Sequence, residues 1–342
     1  MGGTGRLALI GRRLLQAVPS LIGIVIVTFV LTRALPGDPA AYFAGPAADE
    51  KSIAEIRAAL GLDRSLPEQF WAYVTDLAQG DLGVSISTGR PVVEEIFERL
   101  PASLELTLAG LFLAIAIALP LGILAATRPN SWVDHLCRVV VTAGVSLPVF
   151  FTGLFFVYVF YFLVDVVPSP IGRLDIFSIA PPRVTGFYLI DSLLIGDFQT
   201  FGAALAQLAL PAITMGMFVL APLARMTRGS MLQVLGSEFI RTANANGLER
   251  RTILYTYAFR NALLPILTTL GMVFSFMLGA NVLVEKVFAW PGIGSFAVNA
   301  LVVSDFAAVQ GFVLSMAVLF VMLNLAIDIL YTLIDPRVGI EG

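Results

Sequence analysis

Cysteine and histidine are almost absent from this 342-residue chain, with Cys137 and His135 the only examples. A lone cysteine excludes an internal disulfide and a thiolate metal cluster. A lone histidine removes most imidazole-based metal and acid–base chemistry. Charge is scarce as well: Asp, Glu, Lys and Arg make up 13% of the residues, about half the roughly 25% usual in a soluble domain. Three chemical signatures are missing from the sequence. There is no Gly-x-x-x-x-Gly-Lys-Ser/Thr loop to cradle phosphates, no Gly-x-Ser-x-Gly elbow and no His-Glu-x-x-His pair. Nor is there a basic stripe suited to nucleic acid, an internal repeat or a low-complexity tract. The expectation is a non-enzyme with no cofactor or metal of its own.

What the chain has is apolar sequence, 58% of its residues, with a mean hydropathy of +0.88. Crossing hydrocarbon takes about 20 apolar residues. Runs of that size occupy 14–32, 106–127, 139–164, 263–284 and 309–333. A sixth, 203–224, is interrupted by Pro211 and Pro222. A soluble helical protein would show polar helix faces, and 111–126 has none. The fold class expected is all-α, a polytopic membrane protein with six transmembrane helices. Pro148, Pro211 and Pro222 are expected to kink their helices, and Met215, Met217 and Met226 to fill core. The first apolar run exceeds the 7–15 residues of a signal-peptide core, so the first helix reads as uncleaved.

Lys and Arg in the connections set orientation. With a cytoplasmic N-terminus, the inner side collects twelve bases and five acids, a net of +7, and the outer side nine bases and eighteen acids, a net of −9. Asp328, placed in the last span, completes the formal charge of −3. Both termini are therefore expected inside. The organisation follows: 1–33 as an N-terminal transmembrane helix, 34–102 as an external insertion, and 103–342 as a five-helix core. That core has an external loop at 165–201 and an inner loop at 227–262. In the first insertion, Asp49 reads as the N-cap of a helix through Leu60, with Gly61 just past its end. Ser65 and Glu68 have capping-box spacing, opening a helix through Gln79. A short helix is expected from Pro91 to Leu100, and little regular structure in 165–201.

The inner loop differs from the rest of the chain. Ser237 is placed to cap a short helix reaching Asn246, closed by Gly247. That helix presents Ile240 and Ala243 with Phe239 nearby, an amphipathic knob for a groove on a partner. The run Glu238-Phe239-Ile240-Arg241-Thr242-Ala243, followed by Gly247 and then Arg260-Asn261-Ala262-Leu263-Leu264-Pro265, resembles the inner-loop motif of binding-protein-dependent ABC importer permeases of the peptide/nickel type. The likeness extends along the chain. Arg12-Arg13-Leu14-Leu15 with Pro19, then Leu35-Pro36-Gly37-Asp38-Pro39, is similar to the family's opening. Leu60-Gly61-Leu62-Asp63, Gly80-Asp81-Leu82-Gly83 and Arg99-Leu100-Pro101-Ala102-Ser103 are similar to its outer segment. Glu285 with Phe288-Ala289-Trp290-Pro291-Gly292-Ile293-Gly294, and Asp328 with Tyr331 and Asp335-Pro336-Arg337, are similar to its later motifs. Two departures stand out: Asn244 and Asn246 where the motif has basic residues, and Tyr257-Ala258-Phe259 where a histidine is usual.

The resemblance implies a type I ABC importer permease fold of the B-type subunit, in a bacterial cytoplasmic (inner) membrane. It implies that Glu238, Phe239, Ile240, Arg241, Thr242, Ala243, Asn244, Ala245, Asn246 and Gly247 couple to an ATPase. The implied partners are a second homologous permease, two ATPase subunits binding ATP and Mg²⁺, an external solute-binding protein and a peptide-like substrate. Dipeptides, longer peptides, nickel chelates and haem-like cargo share such permeases, and the long second insertion hints at dipeptides. Trp290, Pro291 and Gly292 read either as an outer gate or as a turn with an interfacial Trp anchor. Asp328 reads as a structural intramembrane acid, roughly 10 Å along the helix from Asp335 and so near the inner interface, where an Arg can pair with it. An ion-coupled secondary transporter is the alternative; it would need several buried charges and broken helices in matching halves. A membrane-embedded enzyme would need a nucleophile, base or metal set inside the spans.

Overall fold

The computed structural model describes residues 3–34, 38–45 and 47–334. Among these the only β feature is an isolated antiparallel bridge between Val84 and Pro91. The helices, in order, are α1 (Gly3–Ala34), α2 (Pro39–Ala44), α3 (Glu50–Ala59), α4 (Leu66–Ala78) and α5 (Val92–Thr127). Next come α6 (Trp132–Ser146), α7 (Val149–Phe156) with a π-helical extension over Val157–Leu163, α8 (Tyr188–Leu194) and α9 (Phe198–Leu235). Then follow α10 (Glu238–Ala245), α11 (Arg250–Thr252), a π-helical segment over Ile253–Phe259, α12 (Arg260–Val287), α13 (Ile293–Val302) and α14 (Phe306–Ile334). The Leu35-Pro36-Gly37 and Asp335-Pro336-Arg337 segments and the side chains of Arg12, Arg13 and Asp328 lie outside the described residues.

Five helical stretches among the described residues are long and apolar enough to cross a membrane: Leu15–Ala34, Val92–Thr127, Phe198–Leu235, Arg250–Val287 and Phe306–Ile327. The expected third span, 139–164, is instead divided. Proline lacks an N–H and its ring disfavours helical backbone in the residue before it; accordingly Leu147 is extended (φ −114°, ψ 136°) and α7 starts anew behind Pro148. The second piece, Val149–Leu163, is apolar but shorter than the others. Pro211 and Pro222 leave α9 one continuous 38-residue helix. The short helix expected at 91–100 is no separate element, because α5 runs through Pro101 without a break.

The chain forms two compact units, 1–103 with 291–322, and 104–290 with 323–342. In the first, Asp49 and the Ser65–Glu68 capping box open α3 and α4 as the sequence suggests. Gly61 and Gly80 take the left-handed conformation just past the two helices. Val92 and Ile96 pack with Ile293, Phe296, Ala300 and Ala308 into one apolar core. A Cβ on Gly311 would meet Val92 Cγ1 at 2.4 Å, so glycine is what lets α14 lie flush on the start of α5. Asp305, buried, caps α14 through Ala308 N–H and binds the 84–91 loop through Ser85 Oγ (2.6 Å) and Ser87 N–H (3.1 Å).

The second unit is built around α9, which packs against α6, α7, α8 and α12. Membrane helices gain little from the hydrophobic effect between themselves and rely on close backbone approach at small residues. Here Gly110 abuts Met215 and the Ala212 carbonyl, Gly122 abuts Thr227, and Gly144 abuts Ala221. Met215 is fully buried within this packing, while Met226 is more than a third exposed. Most of the 165–187 stretch is irregular, but α8 adds a two-turn helix to the insertion in which little regular structure is expected. Two buried acids hold this region. Glu105 of α5 accepts from Arg173 Nη2 and from Leu189 N–H. Asp191 accepts from the N–H groups of Val184, Thr185 and Gly186 and from the Thr185 hydroxyl. Burial works against the charge of Asp191, but those hydrogen bonds hold its carboxyl below the usual range.

Candidate functional site

The connection between α9 and α12 folds as a helix with one buried and one open face. Gly236 ends α9, donating its N–H to the Leu232 carbonyl. Ser237 then turns extended (φ −77°, ψ 154°) in the N-cap position of α10. Its hydroxyl, however, donates back to the Val234 carbonyl and does not cap α10. The cap residue is where the sequence places it, but its side chain closes the preceding helix. At the other end Gly247, at φ +73°, donates to the Asn244 carbonyl, and Leu248 N–H reaches the Ala243 carbonyl. That paired closure favours glycine because of its positive φ.

Within α10, Ile240 and Ala243 are buried, 2% and 5% exposed. The helix packs on the π-helical segment Ile253–Phe259, whose own Ile253 and Ala258 are buried. The i→i+5 winding of such a segment is rare and recurs at functional sites. It leads directly into α12 and also touches α9. The other face of α10 is open. Phe239 is 45% exposed, and Glu238, Arg241, Thr242, Asn244, Ala245, Asn246 and Gly247 all reach solvent. Glu238 and Arg241 pair at 2.8 Å on that face. Thr242 and Asn244 turn their side chains onto the carbonyls of Glu238 and Ile240. The face therefore offers an aromatic side chain, one ion pair and amides, with little net charge.

One residue that sequence reasoning leaves aside proves central here. Asp134, in the first turn of α6, is fully buried. It accepts from Nε and Nη2 of Arg228 on α9, from Arg138 Nη2 at 2.7 Å and from Asn130 N–H at 3.0 Å. Hydrogen bonds from Arg228, outweighing the effect of burial, hold its carboxyl far below the usual range. The anchor joins α6 to the last turns of α9, ten residues before Glu238. The available signal was one acid in the Trp132-Val133-Asp134 connection, among bases.

The Trp290-Pro291-Gly292 turn is present. Ala289 has positive φ, Trp290 N–H donates to the Glu285 carbonyl at 2.8 Å, and Gly292 is the N-cap of α13. Trp290 is only 1% exposed, with the Arg173 guanidinium 6.0 Å from its ring, so its indole is a core group and no interfacial anchor. Glu285, also fully buried, accepts from Asn281 Nδ2 at 3.0 Å. Asp328 belongs to α14, but its side chain is outside the described residues. Among the described residues no group of three or more His, Cys, Asp or Glu could hold a metal ion.

These features define a polytopic α-helical membrane protein that exposes a short amphipathic helix between two of its long helices. Residues 118–340 match the binding-protein-dependent transport system inner membrane component, and residues 6–107 match the N-terminal membrane component of such systems. The chain belongs to that family of inner-membrane transport components. It is similar to a probable D,D-dipeptide transport system permease protein of Escherichia coli (strain K12), 45% identical over 320 residues and 94% of each chain. It is also similar to a dipeptide transport system permease protein of Alkalihalophilus pseudofirmus, 39% identical over 96% of this chain and 98% of the relative. A glutathione transport system permease protein of Shigella flexneri is 35% identical over 96% of this chain and 97% of its own length.

Proposed function

We propose that this chain is the permease subunit of an ATP-driven importer of dipeptides or similar short peptides, and that α10 is the point at which the ATPase pushes. It assembles with a second homologous permease, two ATPase subunits that bind ATP and Mg²⁺, and an external solute-binding protein. Both termini face the cytoplasm, which brings α10 to the ATPases and leaves 34–102 and 165–201 outside. The +7/−9 asymmetry of the connections supports that orientation. The names of the relatives, dipeptide and glutathione permeases, support a cargo of two or three residues.

The observation that carries the coupling role is the two-faced α10: Ile240 and Ala243 buried on the π segment, Phe239 and its polar neighbours uncovered. When ATP draws the ATPases together, α10 moves with them. The displacement leaves by two routes. One is the backbone, through Gly236 and Ser237 into α9; the other is the buried face, through the π segment into α12. Because α9 and α12 pack on one another, both routes bias the same helical bundle between inward-open and outward-open states. ATP shifts that equilibrium only as far as it binds one state better. The test is to replace 238–247 with a Gly/Ser linker of equal length and co-purify the chain with its ATPases. Association and transport are expected to be lost while the membrane-embedded part keeps its thermal stability. Survival of both would refute the coupling role.

A further inference from the structure

In the first unit, the end of α1, the start of α14, the α3–α4 turn, α4 and the 81–86 loop line a half-open cavity of about 390 Å³. Its wall carries an arginine that has no counter-ion among the described residues. Arg33, in the last turn of α1, has its guanidinium carbon 4.3 Å from the ring centre of Phe29 and 5.7 Å from that of Phe306. Its hydrogen bonds go to neutral acceptors, Gln69 Oε1 at 3.4 Å and Thr32 Oγ1 at 3.3 Å. No carboxylate among the described residues pairs with it. A guanidinium presents five donors in a planar fork shaped for a carboxylate, and two long bonds leave most of that fork unused.

A second donor is unmet beside it. The Tyr73 ring stacks on the same Phe29 at 5.9 Å, and its hydroxyl is closed to water with no hydrogen-bond partner. Burial pushes the phenol up to about 12 against the opposing charge of Arg33, so it keeps its proton at neutral pH. Buried donors are seldom left without an acceptor. The lining also includes Arg64, Asp76 and Asp81. Two arginines against two aspartates make it neutral but of both signs. Phosphate sites gather cations and backbone N–H groups; a neutral wall of mixed sign suits a zwitterion. The volume falls within the roughly 300–1,000 Å³ of small-molecule sites.

We propose that this cavity binds a zwitterionic dipeptide, its carboxylate on Arg33 and, once the Tyr73 ring turns to uncover its hydroxyl, on Tyr73 as well, and its ammonium toward Asp76 and Asp81. The choice of a dipeptide rests on the transport reading above; the need for a carboxylate and an ammonium rests on the cavity alone. Under that reading the site lies on the outer segment, separate from α10, and receives solute on the side from which it arrives.

The test titrates D-alanyl-D-alanine and L-alanyl-L-alanine into the purified full-length chain in phosphatidylcholine nanodiscs, followed by calorimetry. Saturable binding is expected. C-terminal amidation, N-acetylation or Arg33→Gln should each weaken it at least about tenfold, and Tyr73→Phe, which removes one hydrogen bond, by about threefold to tenfold. No binding at several millimolar overturns the proposal. So does an affinity unchanged in both variants, which puts the dipeptide elsewhere, or an amidated dipeptide that binds as well as the acid. Binding abolished by phosphatidylglycerol in an Arg33-dependent manner makes the cavity a lipid site and also overturns it. If Arg33→Gln fails to fold, Tyr73→Phe and the blocked ligands decide. The titration needs no ATPase and leaves α10 untouched. Its failure therefore leaves the coupling role standing, and failure of the linker test leaves this site standing.

Discussion

Replacing Asp134 with asparagine tests whether α6 and α9 are held by charge. In the native chain the buried carboxylate takes two bonds from Arg228, one from Arg138 and one from the Asn130 N–H. Removing one partner of a buried ion pair costs about 3–5 kcal/mol. That figure applies where the stranded partner is buried too. Here Arg228 and Arg138 are 25% and 51% exposed at their side chains and can recover water, and asparagine keeps one acceptor oxygen. A loss of about 2 kcal/mol is the reasoned value, corresponding to a midpoint roughly 5 °C lower for a chain of this size. The assay is thermal unfolding of the detergent-purified protein at pH 7, with a double-mutant cycle against Arg228→Gln. The cycle should show at least about 1 kcal/mol of coupling. The pH dependence has a definite sign. Asp134 has a depressed folded pKa, so its stabilisation is complete above the unfolded value of about 3.9 and is lost as pH falls below it toward the folded value. Asp134→Asn should therefore flatten the acid limb below about pH 4 and lower stability evenly from pH 5 to 8. An unchanged midpoint, or additive single mutants, would refute the anchor.

Gly122→Ala would set a methyl 2.7 Å from Thr227 Cβ and 3.0 Å from the Ala224 carbonyl. It should lower stability by about 1–3 kcal/mol, whereas Gly229→Ala, with open space around it, should be neutral or stabilising in the same thermal assay. Phe239→Ala removes a 45%-exposed ring; it should weaken ATPase binding about tenfold or more, as for an aromatic anchor, and leave the unfolding midpoint within 1 °C or so of wild type. Glu105→Gln breaks the buried pair with Arg173. Limited proteolysis should then cut the 173–187 stretch several-fold faster while the membrane-embedded helices stay intact.

Hydropathy locates five of the six expected spans because each is a long run whose composition suffices. The remaining one, the expected third span 139–164, has the composition but not the continuity. A sliding average does not register that Pro148 cannot donate and that Leu147 must be extended. The ends of α3, α4 and α10 are legible because capping residues and left-handed glycines act within four or five residues. Only the Ser237 hydroxyl escapes this local logic, since two helix ends compete for it. The buried ion pairs are not legible for the opposite reason. Asp134 and Arg228 are 94 residues apart, and Glu105 and Arg173 are 68. Nothing in their neighbours distinguishes them from solvated surface charges, so pairing emerges only from the packing of α6 and α5. Trp290 is a similar case: the Trp290-Pro291-Gly292 turn reads as an outer gate or as an interfacial anchor, and the 1% exposure of the indole comes from packing that its neighbours in sequence do not show.

The two ways in which the second unit joins its helices bear on how α10 can act. Along α9, Gly110 and Gly122 of α5 and Gly144 of α6 let neighbouring backbones approach closely, and such contacts admit sliding without desolvating any charge. Near its end, Arg228 is tied to Asp134, and sliding there would strand a buried carboxylate. A displacement entering through Gly236 and Ser237 therefore meets a stiff element within three turns and carries α6 along with α9. A displacement entering through Ile240 and Ala243 would meet the π segment instead, the rarely used i→i+5 winding that leads into α12. Stiffening the first route or relaxing the second should thus have unequal effects. Asp134→Asn should lower transport more than it lowers ATPase association, whereas Ile240→Ala should weaken transport even in chains whose Asp134 anchor is intact. Equal losses of association in both variants would mean that α10 is held in place by the bundle as a whole, and the two-route description would fail.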